Sequence, residues 1–266
     1  TMNFSGGPED TRWALSGNVF ECRFEQLVPG YGRAVFMHQA GEDVVFQLET
    51  DRNLMAYSKA DVSITPPGWQ PAQRSEILGT AKISNTDPNL TLDSERTNRF
   101  LHALLEGRLP TISHHTYYDS NKYIQVQVSA THFTDAYQDY ISCTEQLLRF
   151  NFGQVSRSKV FFNSGEDNID KTDTAVLDKI IYYIKNDPRV FAVYLDGHSD
   201  NRGRRYDNRQ MSKRRVEAVE SPATIFRKVP TGMVSPMGVC VMVLSSSLIM
   251  IPDMSTSPAS IARNSI

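Results

Sequence analysis

The chain is 266 residues long, which suits two domains of ordinary size. It carries 28 Lys and Arg residues against 30 Asp and Glu residues, a formal net charge of −2. This balance gives no long-range positive field, so we expect no nucleic-acid partner. A hydrophobic fraction of 40% with 10% aromatic residues is sufficient for packed cores and excludes a largely disordered chain.

The first half of the chain is rich in predicted strands. Polar and apolar residues alternate in NVFECRFEQL and DVVFQLE, and proline-glycine turns separate the apolar runs. One helix is predicted in LDSERTNRFLHALLEG, where Asp93 and Ser94 mark the start and Gly107 the end. Strand alternation returns in YIQVQVSATHF. We therefore expect a mostly antiparallel, β-rich domain over residues 1–150, interrupted by a single helix.

The spacing of the three cysteines excludes a zinc knuckle and a thioredoxin-type site, because Cys22, Cys143 and Cys240 form no CxxC pair. Cys22 and Cys143 lie near the two ends of the β-rich region. A disulfide there would connect its terminal segments and, in the chain-entropy model, stabilise it by roughly 4 to 5 kcal/mol. Two unpaired buried thiols fit the same positions, so these residues alone leave both alternatives open.

The pattern of predicted elements changes after residue 150. The stretch KVFFNSG predicts a strand, DKTDTAVLDKIIYYIKNDP a helix that ends before Pro188, RVFAVYLDG a second strand, and YDNRQMSKRRVEAVE a second helix. The order strand, helix, strand, helix indicates an α/β layer. Ligands often bind at the loop that follows a strand in such layers. That loop contains GHSDNRG, the stretch of the chain that is densest in charged and polar groups.

The segment from Ser221 onward has lost nearly all charge and shows neither helical nor strand periodicity. Its apolar part, Met233 to Ile251, approaches the length of a membrane span, but Pro236, Gly238 and three consecutive serines argue against one. We expect no membrane span and favour a buried strand or a disordered tail. The chain begins without the charged start and apolar run of a signal peptide.

The loop after the second strand allows three interpretations. Asp196, His198 and Asp200 alternate and therefore share one face of a strand, as in a small metal site. Catalytic zinc usually has about three protein ligands and an open position, whereas this stretch offers one imidazole. The basic turn from Asn201 to Arg205 precedes a helix, as in phosphate sites, but it lacks a glycine-rich phosphate signature.

The third interpretation is a pocket for an amino acid that carries both charges. Asp200 in the loop would bind an ammonium group, and Arg215 on the helix would bind a carboxylate with two parallel hydrogen bonds. Backbone N–H groups of the loop would complete the site. This interpretation requires neither a metal nor a cofactor, and the residues fit it best.

The same residues resemble a known domain. GHSDNRG followed by YDNRQMSKRRVEAV is similar to the peptidoglycan-anchoring domain of the OmpA, MotB and Pal families, whose pattern is GHTD, a short loop and N-x-x-L-S-x-x-R-A. The resemblance implies that Asp200 and Arg215 bind the diaminopimelate of the peptidoglycan stem peptide. It also implies that Asn208 and Ser212 shape the loop and the helix.

Two further site residues follow from this resemblance. His198 matches the histidine of the pattern, and Ser199 stands where threonine is usual. Met211 stands where leucine is usual, which is a mild change. The expected set of peptidoglycan-binding residues is therefore Asp200, Arg215, Asn208, Ser212, Ser199 and His198.

The first half resembles the MotY family of sodium-driven flagellar motor proteins. The resemblance rests on Trp13 within W-x-L, on CRFEQLVPGYGRAVF and on the later Cys143. It implies a Cys22–Cys143 disulfide and residence in the periplasm of a Gram-negative cell. It also implies association with a MotX-like protein and the flagellar basal body, in the T ring. The protein would be a non-enzymatic anchor of the motor.

These observations predict an α+β chain in three parts. A β-rich, MotY-like domain over residues 1–150 precedes an OmpA-like βαβα(β) sandwich over residues 151–220 and an atypical tail over residues 221–266. An OmpA-like domain normally continues past Glu220 with further strands and a helix. We therefore hypothesise a loss of reading frame near residues 216–221. If the tail is the true sequence, we expect the sheet to lack its closing strands.

Two other functions remain open at this point. A metal-dependent cell-wall hydrolase would use Asp196, His198 and Asp200. A general wall-tethering protein, unrelated to motility, would use the same peptidoglycan site without the motor partners.

Overall fold

A computed structural model describes residues 1–50, 59–70, 72–84, 86–116, 122–198, 203–220 and 238–245. The chain divides into two compact units, Thr1–Asn151 and Phe152–Ile266. The first is rich in strands and the second contains helices against a small sheet, which confirms the predicted α+β class.

The described part of the first unit contains two sheets and two helices. Its described elements are β1 (Met2–Ser5), β2 (Trp13–Asn18), β3 (Glu21–Val28), β4 (Gly32–Gln39), β5 (Val45–Thr50), β6 (Lys59–Thr65), β7 (Glu76–Lys82), β8 (Leu90–Leu92), α1 (Ser94–Leu105), β9 (Leu109–His115), β10 (Tyr123–Gln127) and α2 (Phe133–Thr144). One sheet has the order β1-β10-β9-β6-β7 and the other β2-β3-β4-β5-β8. Strand β1 pairs parallel to β10, and the other pairs in these sheets are antiparallel.

Aromatic side chains fill the core of the first unit. Phe24, Phe36 and Phe46 lie directly opposite one another on three adjacent strands, and all three are fully buried. The Trp13 ring stacks on Phe24 at 4.7 Å, and Phe100 of α1 meets Phe46 edge-on at 5.1 Å. Because such rings bury large apolar areas, this cluster supplies much of the unit's stability.

Helix α1 has the start and stop that the sequence predicts. The Asp93 side chain accepts a hydrogen bond from the Arg96 N–H, which caps the helix. Gly107 follows the helix with a φ of 75°, a left-handed conformation that glycine adopts without strain. Helix α2 corrects the prediction of a single helix in this half of the chain.

The reason that α2 escapes sequence analysis is its unusual start. It follows His132, whose φ of 57° is left-handed and whose side chain makes no capping hydrogen bond. Its buried residues are Phe133 and Tyr140, and aromatic residues are more typical of strands. These rings pack against β2 and β3, with Phe133 5.0 Å from Trp13 and Tyr140 5.2 Å from Phe24.

A disulfide joins Cys22 of β3 to Cys143 of α2, with 6.2 Å between the two Cα atoms. This confirms the pairing that the MotY resemblance implies. A Cβ atom at Gly17 would lie 2.8 Å from the Cys143 sulfur, so glycine leaves room for the bond under β2. The disulfide fastens the last helix of the first unit to its second sheet.

The second unit contains α3 (Phe152–Val155), β11 (Arg157–Val160), α4 (Lys171–Asn186), β12 (Val190–His198), α5 (Arg205–Glu220) and β13 (Gly238–Ser245). Its sheet has the order β11-β13-β12, and β13 is antiparallel to both neighbours. The side chain of Asp170 caps α4, as the sequence predicts. No helix among the described residues is both long enough and apolar enough to cross a membrane.

Strand β13 corrects the expectation that the sheet lacks its closing strands. It comes from the segment predicted as an atypical tail, yet it pairs with β11 over residues 239–242 and with β12 over residues 238–245. The sequence GVCVMVLS is a continuous apolar run, which suits a strand with neighbours on both edges. The loss of reading frame and the predicted domain bounds stay hypotheses.

Candidate functional site

The strand end that precedes the candidate loop lies at one edge of the three-stranded sheet. Strands β11 and β12 both run antiparallel to β13, so their carboxyl ends meet at the same edge. Val160, the last residue of β11, and Gly197 of β12 both pair with Val239. The segment after β11 and the end of β12 therefore lie at the same edge of the sheet, on either side of β13, where open α/β sheets bind ligands.

Gly197 sets the distance between β12 and α5. A Cβ atom at this position would lie 2.5 Å from Cγ2 of Val216 and 2.7 Å from the carbonyl oxygen of Ser212. Only glycine permits such a close approach of helix and strand. Because alternate residues of a strand face opposite sides, Asp196 lies on the sheet face away from α5. The strand thus separates Asp196 from the helix that carries Arg215.

Arg215 is buried beneath the segment that follows β11. Its residue surface is 5% exposed. Its Nε donates a hydrogen bond to the carbonyl oxygen of Glu166, and its Nη2 donates to that of Asn163, each at 3.0 Å. The guanidinium carbon lies 5.1 Å from the centre of the Phe162 ring. Two carbonyl dipoles and one ring face therefore stabilise the buried charge.

The segment that Arg215 contacts is a tight turn. The Glu166 N–H donates to the carbonyl oxygen of Asn163 at 3.1 Å, and the Asn163 side-chain amide donates to the Glu166 carboxylate at 3.0 Å. Gly165 has a φ of 77°, which glycine adopts without strain. The Asn163 carbonyl thus accepts from both Glu166 and Arg215. The sequence pattern predicts the end of a strand here instead of a turn, because Phe161 and Phe162 extend the apolar run beyond β11.

Asn208 and Ser212 lie on α5 between the loop and Arg215. The Ser212 hydroxyl donates to the carbonyl oxygen of Asn208 at 3.0 Å, so it bonds within its own helix. A Cβ atom at Gly203 would lie 3.5 Å from Oδ1 of Asn208, which places that side chain against the end of the loop. Both positions are compatible with shaping the loop and the helix, and this role stays a prediction.

The structure describes only some of the remaining predicted site residues. His198 is the last residue of β12, and Ser199 and Asp200 lie outside the described residues. The pairing of Asp200 with Arg215 therefore stays a prediction. Within the described part of the chain, no group of three His, Cys, Asp or Glu side chains is arranged to hold a metal ion.

Comparisons with known proteins agree with this division of the chain. A family model described as the MotY N-terminal domain matches residues 4–149, and one described as the OmpA family matches residues 161–239. The second match begins after β11, spans β12 and α5 and continues past Glu220 into β13. The candidate site therefore lies within an OmpA-family region.

A curated relative is similar over most of the chain. The sodium-type flagellar protein MotY of Vibrio parahaemolyticus serotype O3:K6 (strain RIMD 2210633) is 21% identical over 217 residues, which are 80% of this chain and 74% of the relative. The match to the MotY N-terminal domain covers more than half of the chain. The resemblance that the sequence analysis identifies is thus confirmed, and the chain belongs to the MotY N-terminal domain family.

Proposed function

We propose that this protein is a non-enzymatic anchor of the flagellar motor. Its second unit would bind peptidoglycan, and its first unit would bind motor or basal-body proteins. The observation that carries the wall-binding part is the buried Arg215 at the carboxyl edge of the sheet, inside the region that matches the OmpA family. The match to the MotY N-terminal domain favours a motor protein over a general wall tether.

The proposed ligand is the diaminopimelate of the stem peptide. Asp200 and Arg215 would bind its ammonium and carboxylate groups, with His198, Ser199, Asn208 and Ser212 around them. Removing one charge from such a site leaves the opposite ligand charge buried and unpaired, at a cost of about 2 to 5 kcal/mol. The site needs no metal and no catalytic group to do this.

The proposed location is the periplasm of a Gram-negative cell. The Cys22–Cys143 disulfide supports it, because such bonds form and persist in oxidising compartments. In this location the first unit would associate with a MotX-like protein and the basal body, as part of the T ring. The wall would then hold the second unit in place around the motor.

Wall binding is tested by co-sedimentation of the full chain with purified sacculi. We expect Asp200→Asn to weaken binding by at least about 30-fold, the equivalent of about 2 kcal/mol. Glu217→Gln is a matched control, because it removes an exposed carboxylate from α5. Wild-type protein that stays in the supernatant would overturn wall binding. Equal binding by Asp200→Asn would overturn the assigned site.

The motor part has a separate test. We expect the full chain to co-purify with isolated hook–basal bodies, and the Asp200→Asn variant to do so equally, because the proposed motor contacts lie in the first unit. Absence of the wild-type chain from these preparations would leave a general wall tether as the better description.

A further inference from the structure

We infer that the turn Asn163–Glu166 lines one side of the peptidoglycan site, and that Arg215, besides contacting the ligand, supports peptidoglycan binding by holding this turn in place. Phe162 is then a positioning residue, because it acts through Arg215. This inference rests on the proposed function of the same site and adds residues that the family pattern around the loop does not contain.

Arg215 contacts both ends of the turn. Two of its hydrogen bonds go to the carbonyls of Asn163 and Glu166, which are the first and last residues of one turn. The Phe162 ring covers the guanidinium from the residue just before that turn. One side chain of α5 therefore contacts Phe162, Asn163 and Glu166, which lie 49 to 53 positions away in the chain.

The exposure of these residues suits a surface that lines a binding site. Asn163, Ser164, Gly165 and Glu166 are exposed, whereas Arg215 beneath them is buried. The turn follows the carboxyl end of β11, at the same edge of the sheet as the end of β12. A loop held from below by a buried group presents a fixed surface to a ligand, so less conformational entropy is lost on binding.

Lysine does not replace arginine in this role. The planar guanidinium donates in several fixed directions and stacks on a ring, whereas an ammonium is a compact, strongly hydrated point charge. Arg215→Lys therefore keeps the positive charge but loses the paired contacts to the turn. A site that needs only a cation at residue 215 would tolerate this change.

The chain offers matched controls at both positions. Phe161 precedes Phe162 and is 61% exposed. Arg214 precedes Arg215 and makes an exposed ion pair with Asp167 at 3.5 Å. The variants to compare are Arg215→Lys with Arg214→Lys, and Phe162→Leu with Phe161→Leu. Phe162→Tyr keeps the ring and serves as the conservative rescue.

The experiment measures two properties of each full-length variant, binding to sacculi and hydrogen exchange of the backbone amides in residues 162–167. The thermal transition of the second unit shows that each variant is folded. We expect Arg215→Lys and Phe162→Leu to weaken binding by about tenfold and to speed exchange of the Glu166 amide. The two controls and Phe162→Tyr should stay within about twofold of wild type in both readouts. The double variant Phe162→Leu/Arg215→Lys should bind about as weakly as the weaker single variant, because both changes release the same turn.

Three outcomes would overturn the inference. Wild-type binding by Arg215→Lys would mean that charge alone suffices. Weak binding by Arg215→Lys with unchanged exchange in the turn would mean that Arg215 does not act through the turn. Phe162→Leu that binds as wild type would remove Phe162 from the site. Hydrogen exchange is measured without peptidoglycan. Loss of the contacts between Arg215 and the turn is therefore distinguishable from loss of peptidoglycan binding itself.

Discussion

The two units of this chain bury different kinds of side chain. In the first unit, aromatic rings dominate the core, and buried polar groups pair with each other: Gln26 exchanges two hydrogen bonds of 2.8 Å with the backbone of Ser129. In the second unit, the buried set includes the charged residues Asp173, Asp187 and Arg215. The first unit therefore depends mainly on apolar packing and one covalent link, and the second on charges that must keep their partners.

This contrast predicts different responses to substitution. Apolar packing tolerates small changes in proportion to the volume removed. A buried charge that loses its partner imposes the whole desolvation cost at once. We therefore expect loss of the disulfide or of core side chains to destabilise the first unit. Single substitutions of buried charged residues should destabilise the second.

The largest expected effect is loss of the disulfide. Cys22 and Cys143 are 121 positions apart, so replacing both by serine should lower the free energy of unfolding of the first unit by about 5 kcal/mol in the chain-entropy model. Calorimetry of the full chain should show the first unit's transition at a lower temperature and the second unit's unchanged. Reductant should reproduce the shift in wild type and have no effect on the double variant. Equal shifts of both transitions would contradict the separation of the units.

The next effect concerns Asp187, where α4 ends. Its carboxylate accepts hydrogen bonds from the Tyr183 hydroxyl at 2.7 Å and from the Arg189 backbone and guanidinium at 2.9 to 3.1 Å. Asp187→Asn should destabilise the second unit by about 2 to 3 kcal/mol, because it weakens charge-assisted bonds to a buried group. Denaturant unfolding monitored in the second unit measures this. Asp178→Asn removes an exposed carboxylate of α4 and should change little.

The same carboxylate makes the second unit sensitive to acid. Burial by itself raises the pKa of Asp187, but the hydrogen bonds from Arg189 and Tyr183 outweigh burial and hold the pKa below its usual value. Its contribution to stability is therefore present above the unfolded pKa, about 3.9, and is lost as pH falls through the lower folded value. Asp187→Asn should remove this part of the acid dependence.

The smallest expected effect is the pH dependence of the first unit near neutrality. His114 is buried, with Nδ1 2.8 Å from the carbonyl oxygen of His115 and Nε2 2.8 Å from the Tyr31 hydroxyl. The carbonyl requires Nδ1 to donate, so in the neutral ring Nε2 accepts from the Tyr31 hydroxyl. Burial lowers the pKa of His114. Stability should be full above the unfolded pKa, about 6.5, and decline as pH falls toward the lower folded value.

Thermal unfolding at pH 5 to 7 measures this effect. His114→Phe should flatten the pH profile of the first unit, whereas His102→Phe, which changes an exposed histidine of α1, should leave it unchanged. A wild-type profile that is flat over this range would contradict the neutral, buried imidazole.

Local signals in the sequence account for much of the fold but little of the site. Asp93 and Asp170 reveal the starts of α1 and α4, because a capping carboxylate acts on residues only a few positions away. Helix α2 has no such cap, and its aromatic residues suggest a strand. The contacts of Arg215 leave no trace in the sequence, because their acceptors are backbone carbonyls, which every residue has.

The middle position of β13 has a consequence for how the second unit is made. Strands β11 and β12 have no hydrogen bonds to each other and meet only through β13, which is the last described strand in the chain. During synthesis, the earlier two strands keep unpaired inner edges until residues 238–245 have been made. Such long-range closure is slow and leaves the edges exposed to other chains, so assembly of the second unit is the step at which a chaperone has most to protect.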